Sequence, residues 1–134
     1  MRKIKHLVVH CSDTPNERED TAEDIHRWHL ERGWSGIGYH AVIRRDGMLE
    51  YGRPPYWEGA HVRGHNEESL GICLIGRDEF TEAQMLTLEG WLRLKQYQYP
   101  GAEVRGHGDL DSGKTCPNFD VPAWWHSRRS SDID

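Results

Sequence analysis

The chain is short of cysteine, of long apolar runs, of linker-like stretches and of concentrated basic charge, and each shortage excludes something. Three cysteines, an odd number, with no secretion signal speak against a disulfide framework and for synthesis in a reducing compartment. The start, MRKIKHLVVHC, is basic but has only a short apolar stretch interrupted by His6. It has neither the hydrophobic centre nor the small-residue cleavage site of a signal peptide, and no segment is long enough to span a membrane. With 17 Lys and Arg against 22 Asp and Glu, the net charge is -5 and no basic stripe forms, which argues against nucleic acid as a partner. At 134 residues, without repeats, the chain is expected to form one domain over 1–134, burying about two-thirds of its unfolded surface. The tail from about 128 to 134 is expected to fray.

What the chain does contain alternates between strand and helix patterns. Ile4 to Val9 read as a strand closed by His10. Thr21 can cap a helix with Glu23 and Asp24 in its first turn and Gly33 at its end, and Ile25, Trp28 and His29 would form its packing face. His26 and His29 are read as ordinary helix residues rather than ligands. YHAVIRRDGMLEYG places Asp46-Gly47 between two strand-like runs, a tight hairpin. An irregular stretch from Arg53 to Ser69 is of the kind that carries function. It leads into the apolar strand LGICLIG, where Cys73 is a plain core residue. Thr81 and Gln84 make a capping box for a helix running towards Pro100, Val104 belongs to a last short strand, and Asp120 can cap a final helix through Trp124 and Trp125. The expected fold is α/β, a central mixed sheet flanked by about three helices.

The chemistry sits at the two ends of the chain. His10, His107 and Cys116 could together hold one zinc ion, because two imidazoles and a thiolate suit zinc and three protein ligands leave a fourth position for water. Nine histidines and three cysteines also permit accidental pairings, and no CxxC or HExxH motif ties these three together. Lys114, two positions before Cys116 in GKTCP, could lower the thiol pKa or stabilise an oxyanion; the alternative is a solvated loop lysine. Cys11, next to His10, should point to the opposite face of its strand. About half of the six tryptophans are expected in the core, leaving others to wall a groove for sugar or peptide.

The segments VVHCSDT, IHRWHLERGWSGIGYHAVIRRDG, GAHVRGHNEESLGICLIG, FTEAQM and GHGDLDSGKTCPNFDVPAWW, in that order, resemble the zinc-dependent type 2 N-acetylmuramoyl-L-alanine amidases, in particular short phage endolysins. The likeness extends to the animal peptidoglycan recognition proteins. The resemblance implies zinc ligands at His10, His107 and Cys116 and activity-bearing residues at Tyr39 and Lys114. It also implies positions near the substrate groove at His61, Asn66 and Ser69, with Trp57 and His65 as weaker candidates. Asn66 and Ser69 could equally brace their loop through side-chain to backbone hydrogen bonds. The implied reaction is hydrolysis of the amide between N-acetylmuramic acid and L-alanine in bacterial peptidoglycan. Zinc would acidify its water to about 7, Lys114 would share in holding the oxyanion, and Tyr39 would hydrogen-bond that water and help shuttle its proton.

The resemblance further implies action on peptidoglycan and leaves phage RNA polymerase as an undecided second partner; a monomer is expected, and the missing signal predicts accumulation in the host cytoplasm and release through a separate holin-like pore. The short GRDEF connection before Thr81 should alter one edge of the groove. With no wall-binding domain appended, targeting would rest on the groove itself. Two alternatives come from other classes: a non-catalytic module that binds peptidoglycan or regulates a polymerase, needing no metal, and a cysteine hydrolase using Cys116 or Cys11 with a histidine.

Overall fold

In a computed structural model, the backbone is described for residues 2–130 and the side chains for residues 2–128. A five-stranded mixed sheet forms the middle of the molecule, in the order β3-β2-β4-β1-β5. The strands are β1 (His6–Cys11), β2 (Ala41–Ile43), β3 (Leu49–Tyr51), β4 (Ser69–Leu74) and β5 (Glu103–Gly106). Strands β2, β4, β1 and β5 run parallel and β3 turns back on β2. Three helices of ten or more residues accompany the sheet, α1 (Ala22–Glu31), α2 (Glu82–Gln98) and α4 (Val121–Ser130), as the pattern predicted. A one-turn helix α3 (His107–Leu110) and a 3-10 turn at Asn66–Glu68 were not expected from the sequence.

Strands β1 and β4 are covered on both faces, which is why they read as continuous apolar runs rather than as alternating ones. On one face Leu7, Val9, Leu70, Ile72, Leu74 and Val104 pack with Leu88, Trp91 and Leu92 of α2 and Trp125 of α4. On the other, Val42 and Cys73 meet Ile25 of α1, with Trp28 and Tyr39 against them. The hairpin forms as predicted: Gly47 takes φ +88, and Asp46 Oδ1 accepts from the Met48 N–H at 3.0 Å.

Two of the three expected helix starts are capping boxes, Thr21 with Asp24 and Thr81 with Gln84, and Asp120 caps the third, its Oδ1 accepting from the Ala123 N–H at 3.1 Å. Gln84 does more than cap. Its fully buried amide donates to the carbonyls of Ile75 at 2.9 Å and Ile43 at 3.2 Å, fastening the start of α2 to the sheet. Two expectations shift. Strand β1 starts two residues later than Ile4 and runs on through Cys11. The tail is helical up to Ser130 rather than frayed from about 128, and residues 131–134 lie outside the described residues.

Several histidines serve as acceptors for backbone N–H groups. His29 Nδ1 accepts from Gly38 at 2.9 Å, His26 Nδ1 from Ile37 at 3.0 Å and His40 Nδ1 from Gly71 at 3.0 Å. An imidazole that accepts through Nδ1 must be neutral. Burial lowers His29 and His40 to about 4, well below the ordinary value for either ring. The sequence reading that neither His26 nor His29 is a ligand therefore has a physical reason: each already fixes the chain that follows α1.

The folded pKa of His40 lies below the unfolded value of about 6.5, so between the two the unfolded chain binds more protons. The stabilising contribution is fully present above about pH 6.5 and is lost as the pH falls towards 4. Urea unfolding is expected to show roughly 2 kcal/mol less stability at pH 5 than at pH 7.5 from this ring. A smaller drop in a His40→Asn variant would identify it; equal drops in the two proteins would refute the assignment.

Candidate metal centre and active site

The parallel sheet places the C-terminal ends of β1 and β5 side by side, and the site is built there. His10 is the fifth residue of β1, buried, and opposite Cys73 of β4. His107 follows directly on β5 and opens α3. That turn is held by Gly106 N–H donating to Asp109 Oδ2 at 2.7 Å and by Asp111 N–H donating to the His107 carbonyl at 3.1 Å. Cys116 returns from the following loop, pinned by Gly108 N–H on its carbonyl at 3.0 Å. At Gly108 a Cβ would stand 2.5 Å from the Lys114 carbonyl, so the loop closes this tightly only over glycine.

The outcome is a compact donor set. His10 Nδ1 and His107 Nδ1 lie 3.1 Å apart, and one ligand atom from each of His10, His107 and Cys116 falls within 4.8 Å of the others. Donors around a tetrahedral ion with bonds of about 2.0–2.3 Å sit roughly 3.3–3.7 Å from one another, so these residues fit a single cation. If Nδ1 of His10 is the ligand atom, Nε2 carries the proton, and it points at His61 Nδ1 at 2.8 Å. His61 Nε2–H can then donate to Ser69 Oγ at 3.1 Å. That chain has one consistent direction and fixes the tautomer of His10, as outer partners of metal-bound imidazoles do. On the other side, Asp111 Oδ2 stands 3.9 Å from His107 Nε2.

Desolvation, followed by the neighbouring His61 and His107, holds His10 well below its ordinary value, and burial does the same for His61. Both rings are neutral at physiological pH, the state that ligates. The Cys11 backbone N–H donates to Cys116 Sγ at 3.0 Å. A hydrogen bond with the Cys11 thiol, together with burial, pushes the Cys116 thiol up, which is the opposite of what a thiolate nucleophile needs. A bound cation, by contrast, deprotonates a coordinating thiol outright. The strand's last residue thus breaks the simple alternation expected of Cys11, which turns towards Cys116 and lines the cavity.

The cavity in front of the donor set measures about 890 Å³ and takes in Tyr39 and Lys114. The Tyr39 ring centroid is 5.0 Å from that of His10, and burial raises its phenol well above the ordinary value, so its hydroxyl stays protonated as a donor. Lys114 is exposed on the loop before Cys116. Trp34, with Arg32 over its ring at 5.8 Å, is the tryptophan found in this wall.

Not every residue singled out in the sequence reaches the cavity as expected. His61 lines it, and both ring nitrogens are engaged by His10 and Ser69, so the ring braces His10 from behind. At Gly71 a Cβ would stand 2.6 Å from the His61 ring, so glycine makes room for it. Asn66 lines the cavity while its Oδ1 braces the loop, accepting from His61 N–H at 2.9 Å and Val62 N–H at 2.8 Å. Ser69 is fully buried and holds the His61 side chain instead of the loop backbone. Trp57 lines a separate groove of about 480 Å³ with His26, Tyr51 and Arg53, and His65 turns to Glu68. The sequence reading missed the supports: Ser69 behind His61, the Cys11 N–H on Cys116, and Asp111. Only Asp111 carried a visible signal, four residues after His107 on a helical turn.

Fold and donor set define an α/β protein with three candidate metal ligands, His10, His107 and Cys116, gathered at the C-terminal edge of its parallel strands. Comparison with known proteins narrows the class: residues 1–119 match the Amidase_2 profile, N-acetylmuramoyl-L-alanine amidase, and the chain belongs to that family. It is 39% identical to the endolysin of Klebsiella phage KP32, covering 92% of this chain and 87% of that one. It is also 39% identical to the endolysin of Escherichia phage T7, covering 89% and 83%. Among solved structures, the N-acetylmuramoyl-L-alanine amidase LysC from Clostridium intestinale URNW superposes with a TM-score of 0.85 at 29% identity, covering 97% of this chain and 87% of that one. Drosophila PGRP-LB superposes with a TM-score of 0.77 at 30% identity, covering 87% and 76%.

Replacing His61 by Ala is expected to weaken divalent-metal binding about ten- to a hundredfold, because His10 loses the partner that fixes its tautomer. Competition with a chromophoric chelator measures this. Unchanged affinity would show that His61 does not support the ligand.

Proposed function

We propose that the chain is a zinc-dependent N-acetylmuramoyl-L-alanine amidase of the phage endolysin kind, which cuts the amide between N-acetylmuramic acid and L-alanine and so lyses the bacterial wall. The observation that carries this reading is the meeting of His10, His107 and Cys116 at one point of a cavity that also holds Tyr39 and Lys114. His10, His107 and Cys116 would hold the ion, which when bound supplies a Lewis acid and a water acidified to about 7.

The remaining steps belong to the chain. An amide needs an activated water, a place for negative charge on its oxygen and a proton for the departing amine. The Lys114 ammonium, on the loop fixed by Asp111 and Cys116, supplies positive charge where the tetrahedral oxyanion develops. The Tyr39 hydroxyl, kept protonated by burial beside His10 and Cys73, can turn to donate a hydrogen bond to the attacking water and relay a proton towards the leaving nitrogen. The His10 to His61 to Ser69 chain keeps one ligand from rotating while the substrate is bound. No helix among the described residues is long and apolar enough to cross a membrane.

Purified peptidoglycan incubated with metal-stripped protein should release stem peptides bearing a free L-alanine amine only after zinc is restored, as read by mass spectrometry. Cys116→Ser should abolish release and metal binding together. Lys114→Ala should retain the metal while losing about 10²–10³-fold in rate. Release that is indifferent to chelator and lost on thiol alkylation would establish the cysteine-hydrolase alternative instead.

A further inference from the structure

A second group of metal-ligating side chains stands at the opposite end of β1, outside the cavity just described. His6 opens the strand, His65 precedes the 3-10 turn and Glu68 ends it. The framework under them is rigid: Lys5 N–H donates to the Glu68 carbonyl at 2.7 Å, and His6 pairs with Ser69 in the β1–β4 ladder. In 3-10 geometry residues three apart eclipse one another, which sets His65 and Glu68 on the same side. His65 Nδ1 lies 3.1 Å and His6 Nε2 3.7 Å from the same Glu68 oxygen, Oε1, and the three donor atoms fall within 4.8 Å of each other. The two imidazoles stand at 87° with centroids 5.7 Å apart. A tetrahedral ion with bonds of about 2.0–2.2 Å separates its ligands by roughly 3.3–3.6 Å, so small side-chain rotations would close this group on a cation.

We propose that His6, His65 and Glu68 form a second metal site, one that takes imidazole-preferring divalent ions such as Zn²⁺ and Ni²⁺. Two imidazoles and one carboxylate select these over Ca²⁺ or Mg²⁺, which require oxygen ligands. Lys5 Nζ, 3.5 Å from Glu68 Oε2, competes for the carboxylate, but its side chain is 57% exposed and can swing into water. His6 Nδ1 is enclosed without a hydrogen-bond partner. Because this ligand lacks the outer partner that His61 gives His10, the second site binds at least tenfold more weakly than the first. An ion here would tie the start of β1 to the loop that carries His61 and Asn66.

The test counts ions per chain by isothermal titration of the metal-stripped protein with NiCl₂ and, separately, ZnCl₂. The double variant His65→Ala/Glu68→Gln, with its fold checked by circular dichroism, is expected to bind one ion fewer than the wild type. Cys116→Ser is expected to lose the tighter ion and keep the weaker. If the double variant binds as many ions as the wild type, the site does not exist and Glu68 is simply the centre of an ion pair with Lys5 and two histidines. Failure of the amidase centre would appear separately, as one ion in the wild type that Cys116→Ser retains and the double variant loses.

Discussion

The parallel pairing of β1 between β4 and β5 is the constraint from which the rest follows. Parallel strands share a direction, so whatever ends each strand is delivered to the same edge of the sheet. His10 and His107 are 97 positions apart in the chain, yet their Nδ1 atoms come to 3.1 Å because each lies at or just beyond the C-terminal end of one of two adjacent strands. The paired register therefore sets the separation of the two ligands. A slip of one residue in β1 would turn His10 into the α2 face and bring Val9 or Cys11 to the site. The apolar packing on both faces is what prevents that slip, and in this sense Leu7, Val9 and Ile72 position the donors as firmly as the hydrogen bonds around them do.

A second constraint is the neutrality of the histidines. His29 and His40 are built into the fold as acceptors of backbone N–H groups, with burial keeping them uncharged. His10 and His61 are uncharged for the same reason, but their lone pairs face each other's neighbours and the cavity instead of a backbone donor. Burial thus does two jobs with one residue type, and the partner on the second nitrogen decides which. Where a peptide N–H takes Nδ1, as in His29 and His40, the ring is structural; where Nδ1 faces the cavity and a second ring nitrogen, as in His10, the ring is open to a cation.

That distinction explains how much could be read from the chain itself. Strand β1 and the hairpin at Asp46-Gly47 were legible because hydrophobic runs and turn chemistry are local, and so were the capping boxes at Thr21 and Thr81. The candidate ligands His10, His107 and Cys116 were legible as residue types suited to zinc and through the family resemblance, not through spacing. The supports were not legible: nothing in the sequence says that Ser69 stands behind His61 or that the Cys11 N–H meets Cys116 Sγ, since both contacts cross between elements. Trp57 shows the same limit of local reading. Its position in a functional-looking loop suggested the groove, but the turn after Pro54 carries it to another face, where its carbonyl accepts from His40.

The loop from His61 to Glu68 connects these arguments. Its first residue holds His10 from behind, Asn66 ties its backbone into a closed turn, and its last residue is fastened to Lys5, just before the far end of β1. His6 and His10 lie four residues apart on one face of β1, about 13 Å along it, and this loop spans the distance between them. The position of His61 therefore depends on contacts at both ends of the strand. Loosening the Lys5 to Glu68 end would release the segment that sets the tautomer of His10, so the geometry at the catalytic edge is partly decided at the edge opposite to it.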